Sequence, residues 1–179
     1  MTSPAYALHV ATLNNDYTMK RFLVTLATAM LMLAAIPFAP LCAVAPAAPA
    51  YTHYIYMFAH ANILHWAFNT WAMLVLHRLF TPLRMLTAYS SAVIISFLAT
   101  DGIPFISATM PVLGFSVVLC FFIGYILLPC RRHNRTAYYQ SLLFLLIGFF
   151  IPNMAASYHL MAVIVGLLYY KAEKWIRMT

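Results

Sequence analysis

The sequence predicts an all-α, polytopic membrane protein with six transmembrane helices. Its 179 residues are 65% hydrophobic and only 7% charged, whereas a soluble domain is about 45–50% apolar and about 25% charged. A chain of this length cannot hide so much apolar surface in a single core. The composition therefore excludes a soluble enzyme, a disordered chain and a disulfide scaffold. A second observation, the placement of the basic residues, supports the number of spans.

Six apolar segments are candidates to cross the membrane, because a helix needs about 20 residues to span roughly 30 Å of hydrocarbon. In chain order they are 22–43, 55–76, 83–100, 112–130, 136–153 and 155–172. We expect them to form one domain, 22–172, between an N-terminal tail (1–21) and a C-terminal tail (173–179). The sequence shows neither repeat halves nor the pairs of broken helices that are typical of transporters.

All ten basic residues fall on one side of this six-span arrangement. They are Lys20, Arg21, Arg78, Arg84, Arg131, Arg132, Arg135, Lys171, Lys174 and Arg177. The positive-inside rule makes that side cytoplasmic. We therefore expect a multi-pass protein with both termini in the cytoplasm, and the compact chain favours a bacterial inner membrane.

The first segment has a rival interpretation. Lys20 and Arg21, the apolar run and the small residues Ala43-Val44-Ala45 also resemble a cleaved signal peptide. We favour a span, because the apolar run is long and Pro46 follows the candidate cleavage site. Cleavage would not alter the orientation of the remaining segments.

Polar side chains at membrane depth are costly and are candidates for function. The second segment carries His60, His65 and Asn69, Ser116 opens the fourth, and His159 lies one turn into the sixth. His65 and Asn69 are four residues apart and share a helix face. Because the fourth and sixth segments run in the same direction, these groups are expected at similar depth in the outer half of the bilayer. The pattern predicts a water-accessible pocket.

The residue types in this pocket suit nucleophilic catalysis. A serine hydroxyl attacks once a neutral histidine within hydrogen-bonding distance takes its proton. His65, Asn69 and the backbone N–H of Ser116 could donate to the resulting oxyanion. No carboxylate is placed to orient a histidine, so the pattern predicts a Ser–His dyad. Each residue alone has a simpler interpretation, namely helix packing or hydrogen bonding between helices.

The complete pattern closely resembles the rhomboid family of intramembrane serine proteases. The resemblance covers residues 22–172 and is carried by His60-x4-His65-x3-Asn69, Gly114-Phe115-Ser116 and His159-x6-Gly166. It implies a rhomboid-like six-helix bundle and a serine endopeptidase that cleaves transmembrane segments of membrane-protein substrates.

The resemblance also implies a role for each site residue. Ser116 would be the nucleophile and His159 the general base. Three further residues, His65, Asn69 and Gly114, would form the oxyanion site. The remaining residue of the pattern, His60, would help to organise the water-filled cavity.

Three positions depart from the family pattern. Val117 replaces a glycine beside the nucleophile, Cys120 replaces a tyrosine that stacks on the catalytic histidine, and Ala162 replaces a glycine. The Trp-Arg pair common in the family's first loop is also absent. An alternative is therefore a catalytically inactive rhomboid-like protein that binds membrane clients.

We expect no cofactor and no metal. A haem or zinc protein that uses His60, His65 and His159 is a third possibility. The spacing argues against a zinc site, because His60 and His65 are five residues apart and a helical zinc pair has i, i+4 spacing. The expected partners are transmembrane protein substrates and the lipid bilayer, without nucleic acid. The sequence does not indicate an oligomeric state.

Overall fold

The protein is all-helical in a computed structural model that describes residues 4–45, 48–102, 112–150 and 156–179. Side chains are described in the same ranges, apart from 4–17, 101–102, 144 and 147–150. Within these ranges no strand forms, and β-type pairing is limited to an isolated antiparallel bridge between Val44 and Val112. The predicted all-α class is confirmed for this part of the chain.

Eight α-helices make up the described chain. They are α1 (Pro4–Ala34), α2 (Ala39–Cys42), α3 (Thr52–Ile55), α4 (Ile63–Leu76), α5 (Pro82–Phe97), α6 (Ser116–His133), α7 (Arg135–Phe150) and α8 (Ala156–Ile176). Short 3-10 turns follow α1, α3 and α4, at Ile36–Phe38, Tyr56–Phe58 and His77–Leu79, and a π-helical turn, Leu98–Gly102, follows α5.

Two helices in the described ranges are long and apolar enough to cross a membrane. They are Pro82–Thr100 and Ser116–His133. Thr18–Ala34 and Ile36–Cys42 make a third if this pair, which bends by 49°, is one span. Pro37 lies at the bend, where a proline removes a backbone donor and breaks the helix. These helices are consistent with a membrane protein, and the number of six spans stays a prediction.

The second predicted segment, 55–76, is not one continuous helix. The chain forms α3 and a 3-10 turn, and only then begins α4 at Ile63. The cause is local, because the Asn62 side chain accepts a hydrogen bond from the His65 N–H at 2.9 Å and caps the helix. His60 therefore precedes α4, and the prediction that it lies on the same helix as His65 is wrong.

Other predicted boundaries also differ from the structure. The N-terminal tail is helical from Pro4, because α1 continues through it into the first apolar segment. Gly114 delays the start of α6 to Ser116, since its φ of +103° is not helical. The end of the fifth predicted segment (136–153) and the start of the sixth (155–172) fall in 151–155, which lie outside the described residues.

α6 is the centre of the bundle and packs closely against α8. Its residues 117–125 are all buried. A Cβ added at Gly124 would lie 2.1 Å from the Val163 carbonyl oxygen, and one at Gly166 would lie 2.0 Å from the Phe121 carbonyl oxygen. Small residues allow this close approach of two backbones. The two helices run in the same direction, so their N-termini meet at one end of the bundle.

A charged cluster lies near the C-terminal end of α8, away from these N-termini. The Arg84 Nη2 donates to the Glu173 Oε1 at 2.8 Å, and the Tyr125 hydroxyl donates to the Glu173 Oε2 at 2.9 Å. Arg177 also pairs with Glu173. The Arg84 guanidinium, which donates two hydrogen bonds to the carboxylate, lowers the pKa of Glu173. This cluster connects the start of α5 to the middle of α6 and the C-terminal end of α8.

Candidate active site

Ser116 and His159 meet where α6 and α8 begin. The Ser116 Oγ lies 2.8 Å from the His159 Nε2, although the two residues are 43 positions apart in the chain. Ser116 is the first residue of α6, and His159 lies in the first turn of α8. The imidazole is 8% exposed and the serine is half-buried. A neutral histidine that accepts the serine proton at Nε2 carries its own proton on Nδ1.

The second pair of predicted site residues, His65 and Asn69, faces the backbone just before Ser116. A Cβ added at Gly114 would lie 2.7 Å from the His65 Nε2 and 3.2 Å from the Asn69 Nδ2. The imidazole and the amide therefore occupy the space that a side chain at position 114 would need. The left-handed φ of +103° also requires a glycine here.

The segment that leads into Ser116 is held by backbone hydrogen bonds. Val112 exchanges two bonds with Val44, and the Gly114 N–H donates to the Tyr56 carbonyl oxygen at 3.0 Å. The Gly114 N–H is thus already engaged, so this residue contributes room for His65 and Asn69. The Ser116 N–H belongs to the first turn of α6, where backbone donors have no partner within the helix.

His60 fixes the orientation of Asn69. The His60 Nε2 lies 2.9 Å from the Asn69 Nδ2, and both residues are buried. An amide nitrogen only donates, so the imidazole nitrogen is the acceptor. The same nitrogen carries a second N–H and lies beside the space next to Gly114. The structure thus joins His60 to the predicted site through Asn69, by a contact that the spacing in the sequence did not reveal.

The site ends of the helices contain no acidic partner among the described side chains. Of the three acidic residues in the sequence, Glu173 is the one whose side chain is described, and it lies at the other end of α8. The two described departures from the family pattern nearest the nucleophile, Val117 and Cys120, are buried in the core. Neither prevents the contact between Ser116 and His159.

A second serine–histidine pair was not predicted from the sequence. The His53 Nδ1 lies 3.0 Å from the Ser96 Oγ, and both residues are buried. The Ser96 hydroxyl donates its proton to the Val93 carbonyl oxygen at 2.7 Å. His53 is therefore the donor to Ser96, which is the reverse of what a general base requires. The contact between His53 and Ser96 connects α3 to α5, and no motif in the sequence predicts it.

Among the described residues, no three His, Cys, Asp or Glu side chains form a group that could hold a metal ion.

A scan against models of protein families finds no match for this chain, and a search of curated proteins finds none either.

Proposed function

We propose that this chain is an intramembrane serine endopeptidase of the rhomboid type. It hydrolyses a peptide bond in, or at the outer end of, a transmembrane segment of another membrane protein. The observation that carries the proposal is the 2.8 Å contact between Ser116 Oγ and His159 Nε2. The grouping of His65 and Asn69 around Gly114 adds to its support.

The first half of the reaction acylates the serine. The Ser116 Oγ attacks the scissile carbonyl carbon while its proton passes to the His159 Nε2. The oxyanion accepts hydrogen bonds from the Asn69 Nδ2–H, from the Nε2–H of a neutral His65 and from the Ser116 N–H. The positive end of the α6 dipole also favours its negative charge. The intermediate then collapses, and His159 gives the proton to the departing amine.

The second half regenerates the enzyme. Water attacks the acyl carbon of the serine ester, and His159 accepts a proton from this water. The second tetrahedral intermediate releases the new carboxyl group, and the proton returns from His159 to the Ser116 oxygen. The water must reach the half-buried serine, which lies at the end of the bundle away from Arg84 and Glu173.

The substrate segment must be locally unwound. A helical peptide keeps each carbonyl in an intrahelical hydrogen bond, so its scissile carbonyl is not free to enter the oxyanion site. We therefore expect cleavage near small or helix-breaking residues.

Proteolysis in reconstituted membranes tests the proposal. Proteoliposomes would contain the purified protein and a mixed pool of single-span membrane proteins, and mass spectrometry would identify new N-termini. We expect cleavages within or beside transmembrane segments for the wild type, and none for Ser116→Ala or His159→Ala.

The matched control is Ser96→Ala. Ser96 also contacts a histidine, but its proton is given to a carbonyl, so this variant should retain every cleavage. A folded wild type that produces no Ser116-dependent N-termini would reject the proposal.

A second candidate function is a rhomboid-like binding protein without catalysis. Cys120 favours it, because a thiol cannot provide the ring that stacks on the catalytic histidine in the family. Under this alternative Ser116 and His159 would be a structural contact between α6 and α8. Association with membrane clients would then be unchanged in Ser116→Ala, and the wild type would cleave none of them.

A further inference from the structure

A cavity of about 350 Å³ opens between α1, α4 and the start of α5. This volume is within the range of small-molecule sites, roughly 300–1,000 Å³. Its lining consists of Lys20, Arg21, Val24, Thr25, Thr28, Met73, Phe80, Thr81, Pro82 and Met85. Because Thr81 and Met85 flank Arg84, the cavity lies at the same end of the bundle as the charged cluster around Glu173.

The inner wall of the cavity suits hydrocarbon. Its three threonine hydroxyls are engaged with backbone: Thr25 donates to the Arg21 carbonyl and Thr28 to the Val24 carbonyl, each at 2.8 Å, and Thr81 accepts from the Arg84 N–H. The remaining inner surface comes from apolar side chains such as Met73 and Met85. A polar ligand would therefore lose hydrogen bonds to water on entry, whereas an alkyl chain would not.

The mouth of the cavity is cationic. Lys20 and Arg21 lie eight and seven residues before Thr28, which places them about 10–12 Å from it along α1. The Arg21 Nη1 donates to the Arg78 carbonyl oxygen at 2.7 Å, and this bond holds the guanidinium beside the connection between α4 and α5. None of the lining residues is acidic, and Glu173 is engaged with Arg84 and Arg177.

We propose that this cavity is a binding site for one anionic phospholipid. The phosphate lies between Lys20 and Arg21, where a guanidinium fork and an ammonium provide charge-assisted hydrogen bonds. One acyl chain follows α1 inward along Val24 and Thr28 toward Met73. Basic pockets between helices recognise anionic head groups in this way, and the site is independent of the proposed protease activity.

Native mass spectrometry of the delipidated, detergent-purified protein tests the site. Phosphatidylglycerol and phosphatidylcholine with identical acyl chains would be titrated separately. Each cation near an anionic head group contributes a factor of about five to affinity. We therefore expect the wild type to prefer phosphatidylglycerol by roughly tenfold or more, and Lys20→Gln combined with Arg21→Gln to abolish the preference.

Three further variants separate the site from general effects. Lys171→Gln combined with Lys174→Gln removes the same charge from exposed positions of α8 and should leave the preference unchanged. Lys20→Glu alone spares the bond from Arg21 to Arg78, and should reverse or abolish the preference even if the double variant fails to fold. Thr28→Phe fills the inner part of the cavity and should weaken the binding of both lipids severalfold.

Three outcomes would overturn the proposal. Equal binding of the two lipids by the wild type would mean non-specific surface lipid only. An equal loss of the preference for phosphatidylglycerol in the Lys171 and Lys174 control variant would mean that the preference comes from net charge and not from this cavity. Competition by inorganic phosphate at the concentration of the lipid would mean an anion site without a role for the acyl chain.

Discussion

At the scale of residues, the candidate site contains one hydrogen bond whose direction follows from its two atoms. The Asn69 amide nitrogen donates to the His60 Nε2, and the same nitrogen, which carries a second N–H, lies beside the space next to Gly114. Under the proposed mechanism His60 is a positioning residue, since it would act on the oxyanion through Asn69. Without an acceptor at position 60, the amide could turn its oxygen toward the oxyanion.

Replacing His60 by Ala should slow the reaction of Ser116 with a fluorophosphonate probe by about tenfold to a hundredfold. The expected loss is below the roughly 10²–10³ that removal of an oxyanion donor costs, because Asn69 is still present. Asn69→Ala measures that larger loss. His60→Gln supplies an amide oxygen as acceptor and should recover part of the rate. A purely structural role of His60 would instead give equal rates for the Ala and Gln variants at equal thermal stability.

Gly114 leads to a second prediction at this scale. A methyl group at position 114 would lie 2.5 Å from the His65 Cε1 on a backbone with φ of +103°. Gly114→Ala should lower the free energy of unfolding by about 1–3 kcal/mol and the labelling rate by more than tenfold. The control is Leu113→Ala at the neighbouring, half-buried position, which adds no atom near His65 and should keep the labelling rate close to that of the wild type. A fully active Gly114→Ala variant would show that the reaction does not need the space between Gly114 and the side chains of His65 and Asn69.

At the scale of elements, apolar segments predicted where most helices lie, but not where they start. Segment 83–100 corresponds to α5 (Pro82–Phe97), because composition alone identifies a long apolar helix. The start of α4 depends on the cap at Asn62, and that of α6 on the bonds that hold 112–114. The Asn62 cap is a local contact that the hydropathy of the segment does not show, whereas the bonds that hold 112–114 come from distant parts of the chain and leave no period in the sequence.

The close packing of α6 and α8 holds Ser116 beside His159. A Cβ at Gly166 would approach the Phe121 carbonyl oxygen to 2.0 Å, so Gly166→Ala must push the helices apart. We expect a loss of about 1–3 kcal/mol in the free energy of unfolding, as for other overpacked cores, and a labelling rate at least tenfold lower. Leu168→Ala, at an exposed position of α8, is the control and should retain the labelling rate. Unchanged labelling in Gly166→Ala would contradict this role of the packing.

At the scale of the whole molecule, α6 and α8 connect two different ends of the bundle. One end carries Ser116 and His159, and the other carries the cluster of Arg84, Tyr125 and Glu173. The family resemblance identified the first end from its motif. The cluster was not predicted, because nothing in the sequence pairs Arg84 with a residue 89 positions away.

The cluster should make stability depend on pH. Its hydrogen bonds lower the pKa of Glu173 in the folded protein, so the stabilisation is complete above the unfolded pKa of about 4.3. It is lost as the pH falls through the folded pKa. Glu173→Gln should lower the free energy of unfolding by about 1–3 kcal/mol at pH 7 and should lose less stability between pH 6 and pH 3. Thermal unfolding in detergent measures both, with Lys174→Gln as the control. Parallel pH profiles for wild type and Glu173→Gln would contradict the assignment.

The most direct test of the central claim is to map a fluorophosphonate adduct on the detergent-purified protein by mass spectrometry. An activated serine predicts one adduct, on Ser116, which is lost in His159→Ala and retained in Ser96→Ala. The His159→Ala variant must remain folded for this comparison, which its thermal unfolding establishes. An adduct on another serine, equal labelling without His159, or no labelling of folded wild type would contradict the claim that Ser116 and His159 form a catalytic dyad.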